Sequence, residues 1–161
     1  MTAISYPLPA FYFTVTMACE ALTSLTSGRP DASFSEISGL ESSIKTEDFR
    51  EGGQNQFVHR LPCGSTQKNV IMKRGVVSQS SPMADWATST ICSTLATPIL
   101  TQTLVVMLLG PDHNPKLAWN IRRAWPVRWD WGTLNSTRNE VLLESLEFSH
   151  SGVTRLNVGD P

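Results

Sequence analysis

The chain has 161 residues, 40% of them hydrophobic and 17% charged, which predicts one folded domain with a single core and excludes both a disordered chain and two separate domains. With 13 Lys and Arg against 14 Asp and Glu the formal net charge is −1, so no charge excess points to a nucleic-acid or anionic-membrane partner. Low charge density and near-neutrality suit surface that is buried between subunits.

The N-terminus has no basic leader, and Pro7 and Pro9 fall where an apolar leader core would lie, so no secretory signal is expected. Residues 11–17 alternate, with Phe11, Phe13, Val15 and Met17 on one face and Tyr12, Thr14 and Thr16 on the other, the pattern of a half-buried strand. Residues 20–33 carry turn chemistry at Gly28-Arg29-Pro30-Asp31 and read as a loop or insertion. Residues 34–62 read as two extended polar strands around Gly52-Gly53. Ile44, Thr46, Asp48 and Arg50 share one face and Lys45, Glu47, Phe49 and Glu51 the other, so neither is a core face. Such a hairpin either stands in solvent as a mobile element or lends its open edges to another chain. On the second reading Lys45, Glu47, Phe49, Arg50, Glu51, Gly52, Gly53 and Asn55 form an assembly interface.

Pro62-Cys63-Gly64 predicts a sharp turn into a strand over 67–73 closed by Gly75. A helix is expected from Ser81-Pro82, a hydroxyl N-cap followed by proline at the first helical position, to a point before Pro98. Met83, Ala87, Ile91 and Leu95, with Trp86 beside them, give its apolar stripe, opposite Asp85 and Ser89. Residues 104–109 form a strand apolar on both faces, 111–115 a turn and 117–123 the returning strand. Residues 124–131 follow, interrupted by Pro126, and 141–148 form a last strand before a polar tail over 151–161. The sum is mainly β: a small barrel or sandwich with one flanking helix and an extended polar hairpin.

Little in the sequence supports catalysis. His59, His113 and His150 lie in unrelated contexts, His113 as a turn residue, and no nucleophile elbow or phosphate loop is present. Cys19, Cys63 and Cys92 are odd in number and far apart, so they read as reduced thiols rather than a zinc site or disulfide framework. No cofactor or metal is expected. Arg122, Arg123 and Arg128 interleave with Trp125, Trp129 and Trp131, a composition that also holds single-stranded nucleic acid, but the spacing favours indoles packed in a core or at a subunit contact. Asn135-Ser136-Thr137 matches a glycosylation acceptor and, with no export signal, reads as a chance match. The longest apolar run is too short to cross a bilayer.

Several motifs in order resemble the tube proteins of contractile injection systems and contractile phage tails. They are Tyr6-Pro7-Leu8-Pro9-Ala10-Phe11-Tyr12-Phe13, Phe34-Ser35-Glu36-Ile37-Ser38-Gly39-Leu40, Phe49-Arg50-Glu51-Gly52-Gly53, Leu61-Pro62-Cys63-Gly64 and Val70-Ile71-Met72-Lys73-Arg74-Gly75-Val76. Asp85-Trp86, Trp119-Asn120-Ile121, Ala124-Trp125-Pro126 and the segment from Asn139 to His150 continue the series. Cys63 and the long 20–33 connection depart from the family pattern. The resemblance implies a structural protein without a catalytic residue, a homo-hexameric ring stacked into a hollow tube, and a contractile sheath, baseplate, initiator and spike proteins as partners. It further implies cargo in the lumen, synthesis in the cytoplasm and assembly into a phage-tail-like particle without membrane insertion by this chain. Two other readings stay open: an initiator or adaptor ring at the baseplate, and a stand-alone small-molecule-binding β-barrel whose pocket Trp125, Trp129 and Trp131 would line.

Overall fold

In the computed structural model, residues 12–18, 34–53, 57–76, 81–93, 98–137 and 140–157 are described. The expectations for residues 1–11 and 20–33, and for Cys19, Asn55 and Leu95, lie outside them. The elements run β1 (Phe13–Ala18), β2 (Glu36–Ser38), β3 (Ser42–Phe49), β4 (His59–Gln67), β5 (Val70–Gly75), α1 (Pro82–Ile91), β6 (Gln102–Leu109), β7 (Pro115–Trp131), β8 (Leu143–Ser149) and β9 (Gly152–Asn157). The described residues are therefore mainly β with one helix, as the alternation predicts.

Two antiparallel sheets share β7. Its first half pairs with β6 on one side and β9 on the other, and β1 extends that sheet beyond β6. Its second half pairs with β8, followed by β5 and β2. The strand changes sheets where Arg123 takes a left-handed φ of 52°, and its register against β8 slips between Pro126 and Arg128. A local irregularity of this kind is what lets one strand turn a sheet corner. The expected strand over 117–123 and the further segment over 124–131, interrupted by Pro126, thus become one bent strand.

The inward residues of both sheets meet in one core: Val15, Leu104, Val106, Ile121 and Ala124 from one side, Val70, Met72, Leu146 and Phe148 from the other. Helix α1 contributes Met83, Trp86 and Ala87. Trp86 stacks on Phe148 at 5.6 Å and donates its indole N–H to the Leu100 carbonyl at 3.0 Å. Ser81 caps the helix by accepting from the Ala84 amide at 3.1 Å. Ile91, expected in the apolar stripe, is exposed at the helix end.

Three further boundaries differ from expectation. Residues 62–64 do not turn the chain; they lie inside β4, where a register shift opposite Lys45 and Thr46 leaves Cys63 unpaired. The next strand begins at Val70, after the short link of Lys68 and Asn69. Within the expected polar tail, residues 152–157 form β9, with Val153 packed on the core. His113 does occupy a turn, at φ 60°, where its Nδ1 meets the Tyr12 hydroxyl at 2.8 Å.

Candidate assembly surface

The polar hairpin is a continuation of the second sheet. Strand β2 pairs with β5 from Glu36↔Lys73 to Ser38↔Ile71, and β4 runs directly into β5 through Lys68 and Asn69. The ribbon therefore leaves the sheet at the Val70 end and extends outward as β3 and β4. These two strands pair with each other and with no other described strand. The break falls at Gly39, where φ is +86° and an added Cβ would lie 2.1 Å from the Asn69 carbonyl oxygen. Only glycine fits both that backbone and that approach. An exposed ion pair, Lys68–Glu41 at 2.7 Å, brackets the same junction.

Along the ribbon every residue of β3 is exposed. The register places Asp48 opposite Arg60, paired at 3.3 Å, and Ser42 opposite Gln67, bonded at 2.9 Å, on a face that also carries the exposed Ile44. On the other face Glu47 stands opposite Leu61 and Phe49 opposite His59, whose ring meets Phe57 edge-on at 4.8 Å. Phe49, Phe57 and Leu61 are each about half exposed. Sequence alternation along residues 44–51 alone showed no apolar face, because two of these three side chains come from the returning arm. Arg50, Glu51, Gly52 and Gly53 form the exposed approach to the tip, with Gly53 at φ +94°. Of the expected interface residues, Lys45, Glu47, Phe49, Arg50, Glu51, Gly52 and Gly53 all lie on this ribbon.

The opposite end of the same sheet carries a second feature. After Trp131 the chain turns away, and a groove of about 420 Å³ opens between residues 132–135 and 140–143, lined by Gly132, Thr133, Leu134, Glu140, Val141 and Leu143. Leu134 is 81% and Val141 78% exposed, and Leu143 and Val76 are also solvent-facing. The groove is closed at its base by main-chain bonds, Gly132 N–H to the Leu143 carbonyl at 2.8 Å and Val76 N–H to the Leu142 carbonyl at 2.9 Å.

Between groove and core sits a buried charge cluster. Arg74 (3% exposed) and Glu144 (4%) face each other across β5 and β8 and form an ion pair through Nε and Oε1. Glu144 Oε2 accepts from the Trp129 indole at 2.9 Å, and Arg74 Nη2 donates to the Ser81 hydroxyl at 2.9 Å. The Arg74 guanidinium also lies 5.4 Å over the Phe34 ring, a favourable cation–π placement. The cluster ties β5, β7, β8 and the helix cap together. Sequence reasoning missed it, although a signal exists: both charges occupy inward positions of otherwise apolar alternations, Val70-Met72-Arg74 and Glu144-Leu146-Phe148.

The tryptophans divide. Trp125 and Trp129 pack against the core, whereas Trp131 is exposed and lies 4.6 Å from Trp129. Neither the groove at 132–143 nor a smaller one between α1 and residues 98–100 is lined by Trp125, Trp129 or Trp131. Among the described residues no three of His, Cys, Asp and Glu converge as metal ligands. Cys63 and Cys92 are free and exposed.

The sequence matches the family described as T4-like virus tail tube protein gp19 over residues 9–154. In structure the chain is similar to one from the baseplate of the anti-feeding prophage, with 26% identity, a TM-score of 0.80, and 96% of this chain and 98% of that one covered. It is similar to a chain of the sheath–tube complex of the extracellular contractile injection system PVC in the extended state, with 20% identity, a TM-score of 0.77, and 96% and 95% covered. A chain from the tube-terminating cap of the anti-feeding prophage is alike to the same degree, with 20% identity, a TM-score of 0.77, and 97% and 95% covered. No curated protein sequence matches significantly.

Proposed function

We propose, since the chain belongs to the T4-like virus tail tube protein family, that this structural tube subunit closes in sixes into a ring, and that the rings stack into the hollow inner tube of a phage-tail-like particle. The chain is a structural component and not an enzyme. One observation carries the reading: the β3–β4 ribbon stands clear of the sheets with both faces in solvent, at residues from Lys45 to Gly53 that have no core of their own to serve. A two-stranded ribbon is at best marginally stable alone, and its open edges invite pairing. Within a ring and between rings the same edges find partner edges. Among the described residues β1, β2 and β9 are likewise paired on one side only, so a sheet can continue from one copy into the next.

On this reading the protein, a single domain made in the cytoplasm, lies inside a contractile sheath, begins at a baseplate and carries a spike and cargo. Contraction of the sheath drives the tube through a target envelope, and the tube itself is passive. Its repeated contacts, each modest, add along the stack. The higher identity to the baseplate chain than to the sheath–tube chain favours a second reading within the same class, a copy that forms the first ring on the baseplate.

Negative-stain electron microscopy of the purified protein at high concentration, with size-exclusion chromatography alongside, tests both. Long stacked tubes support a shaft subunit, and single rings that do not grow support a first-ring copy. A monomer that persists with baseplate components added would overturn the assembly reading.

A further inference from the structure

We infer that Glu147 and His150, at the end of β8, are positioning residues that latch the root of the β3–β4 hairpin and set the direction in which it leaves the sheets. The latch needs no second copy; its consequence for assembly rests on the tube reading above. The root calls for such a device because it carries no ladder. Pairing between the arms stops at Ser42↔Gln67, and pairing of β2 with β5 resumes at Ser38↔Ile71. Residues 39–41 and 68–70 thus face each other without a strand rung, and a ribbon attached only through such a joint swings about it. Seven residue steps put Phe49 about 23 Å beyond Ser42. A swing of about 10° at the root would move that end by roughly 4 Å, more than backbone pairing tolerates.

Two hydrogen bonds from β8 reach across the joint. The Asn69 amide donates to Glu147 Oε1 at 2.7 Å in a partly buried contact. His150 Nε2 lies 2.9 Å from the Lys68 carbonyl oxygen, and because a carbonyl only accepts, this nitrogen carries a ring proton. The other ring nitrogen, Nδ1, is buried without a hydrogen-bond partner among the described residues. A histidine at a free turn would rotate outward and solvate both nitrogens, so this ring is placed for its bond to the root. The first arm follows the second, since the Gly39 backbone rests on the Asn69 carbonyl. The exposed Lys68–Glu41 ion pair spans the same joint, but a solvated pair holds its geometry weakly.

The end of β8 is itself fixed. Phe148, fully buried, pairs with Val70, and Glu147 stands between Ile71 of β5 and Arg128 of β7. Past His150, Ser151 gives its amide, at 3.0 Å, and its hydroxyl, at 3.1 Å, to the Arg122 carbonyl. Arg122 precedes Arg123, where β7 changes sheets. The 147–151 corner is therefore anchored on both sheets, and a support locked in this way holds what is attached to it in one geometry. On the tube reading each copy offers its hairpin already set, and loses less freedom when it joins a ring.

The test uses the full chain with Cys19, Cys63 and Cys92 changed to Ser and spin labels at Glu47→Cys on the hairpin and Thr88→Cys on the exposed helix face, diluted with unlabelled chain so that only distances within one copy are read. Pulsed dipolar spectroscopy gives the width of the 47–88 distance distribution. We expect His150→Leu and, separately, Glu147→Ala to widen it at least about twofold. His150→Gln, whose amide can still donate to the Lys68 carbonyl, should restore the narrow distribution, and Glu41→Gln should leave it unchanged. Urea unfolding of the same variants separates the latch from a merely structural role, which lowers the midpoint without touching the width. An unchanged width in His150→Leu, or an equal widening in Glu41→Gln, overturns the latch whatever the micrographs show. Widening that His150→Gln does not reverse assigns the effect to lost packing and overturns the latch as well. A widened distribution in a protein that forms no rings overturns the tube reading and leaves the latch standing.

Discussion

Replacing Glu144 by alanine tests the buried charge cluster most directly. The carboxylate receives Arg74 and the Trp129 indole, and Arg74 in turn holds the Ser81 hydroxyl that caps α1. Removing it takes the Glu144 carboxylate away from a guanidinium that is 3% exposed, and deprives the indole N–H of its acceptor. Breaking a buried pair from one side costs about 3–5 kcal/mol, because the remaining charge stays desolvated. An unsatisfied N–H adds about 1–3 kcal/mol when taken alone, but the two losses share one cavity and do not add in full. The expected cost is about 4 kcal/mol, or a shift of roughly 8–16 °C in Tm for a chain of this size. Glu144→Gln, which keeps the volume and one acceptor, should lose about half as much. Arg74→Met with Glu144→Leu removes both charges and should recover most of the loss, since apolar replacement of a buried pair is often neutral. Urea unfolding followed by tryptophan fluorescence, at protein concentrations too low for assembly to contribute, measures all of these. A Glu144→Ala cost below about 1 kcal/mol, or a double variant equal to the sum of the singles, would refute the argument.

Gly39→Ala should destabilise by more than about 2 kcal/mol, combining left-handed strain with a carbonyl contact, whereas Gly53→Ala, at a similar φ with open space around it, should show the strain alone, about 1 kcal/mol; thermal unfolding compares the two. Met83→Ala opens a cavity at a fully buried position and should cost about 2–5 kcal/mol, while Ile91→Ala at the exposed helix end should stay within about 0.5 kcal/mol in the same assay. Reversing both charges in Glu47→Lys with Arg50→Glu leaves the exposed hairpin folded and should shorten stacks, so tubes of unchanged length in micrographs would count against an interface there.

Legibility followed burial. Strands that pack one face on the core announce themselves by alternation, as residues 13–17 and 143–148 do, and α1 did so through its cap. The hairpin was legible for the opposite reason, an alternation with nothing apolar at its inward positions. Pro62-Cys63-Gly64 misled because those residues usually end a strand. On a ribbon exposed at both edges the missing proline N–H leaves no buried carbonyl unpaired, and a bulge absorbs Cys63. Strand β9 escaped notice because it lies at a sheet edge, where Val153 and Leu156 are the only apolar side chains partly covered. The groove was not readable at all: it depends on two loop segments meeting across a main-chain bond, Gly132 to Leu143, that no local pattern encodes.

Strand β5 connects these parts. Its first residue, Val70, follows directly from the returning arm of the hairpin, its inward positions Val70 and Met72 are anchored in the core, Arg74 is locked to Glu144, and Gly75 and Val76 border the groove. The hairpin and the groove are thus the two ends of one extended segment, clamped at three consecutive inward positions. Sliding β5 along the sheet requires breaking the buried pair and withdrawing Val70 and Met72 from the core. On the tube reading, load between the two ends of the subunit would pass through this single strand of six residues rather than through the bulk of the core.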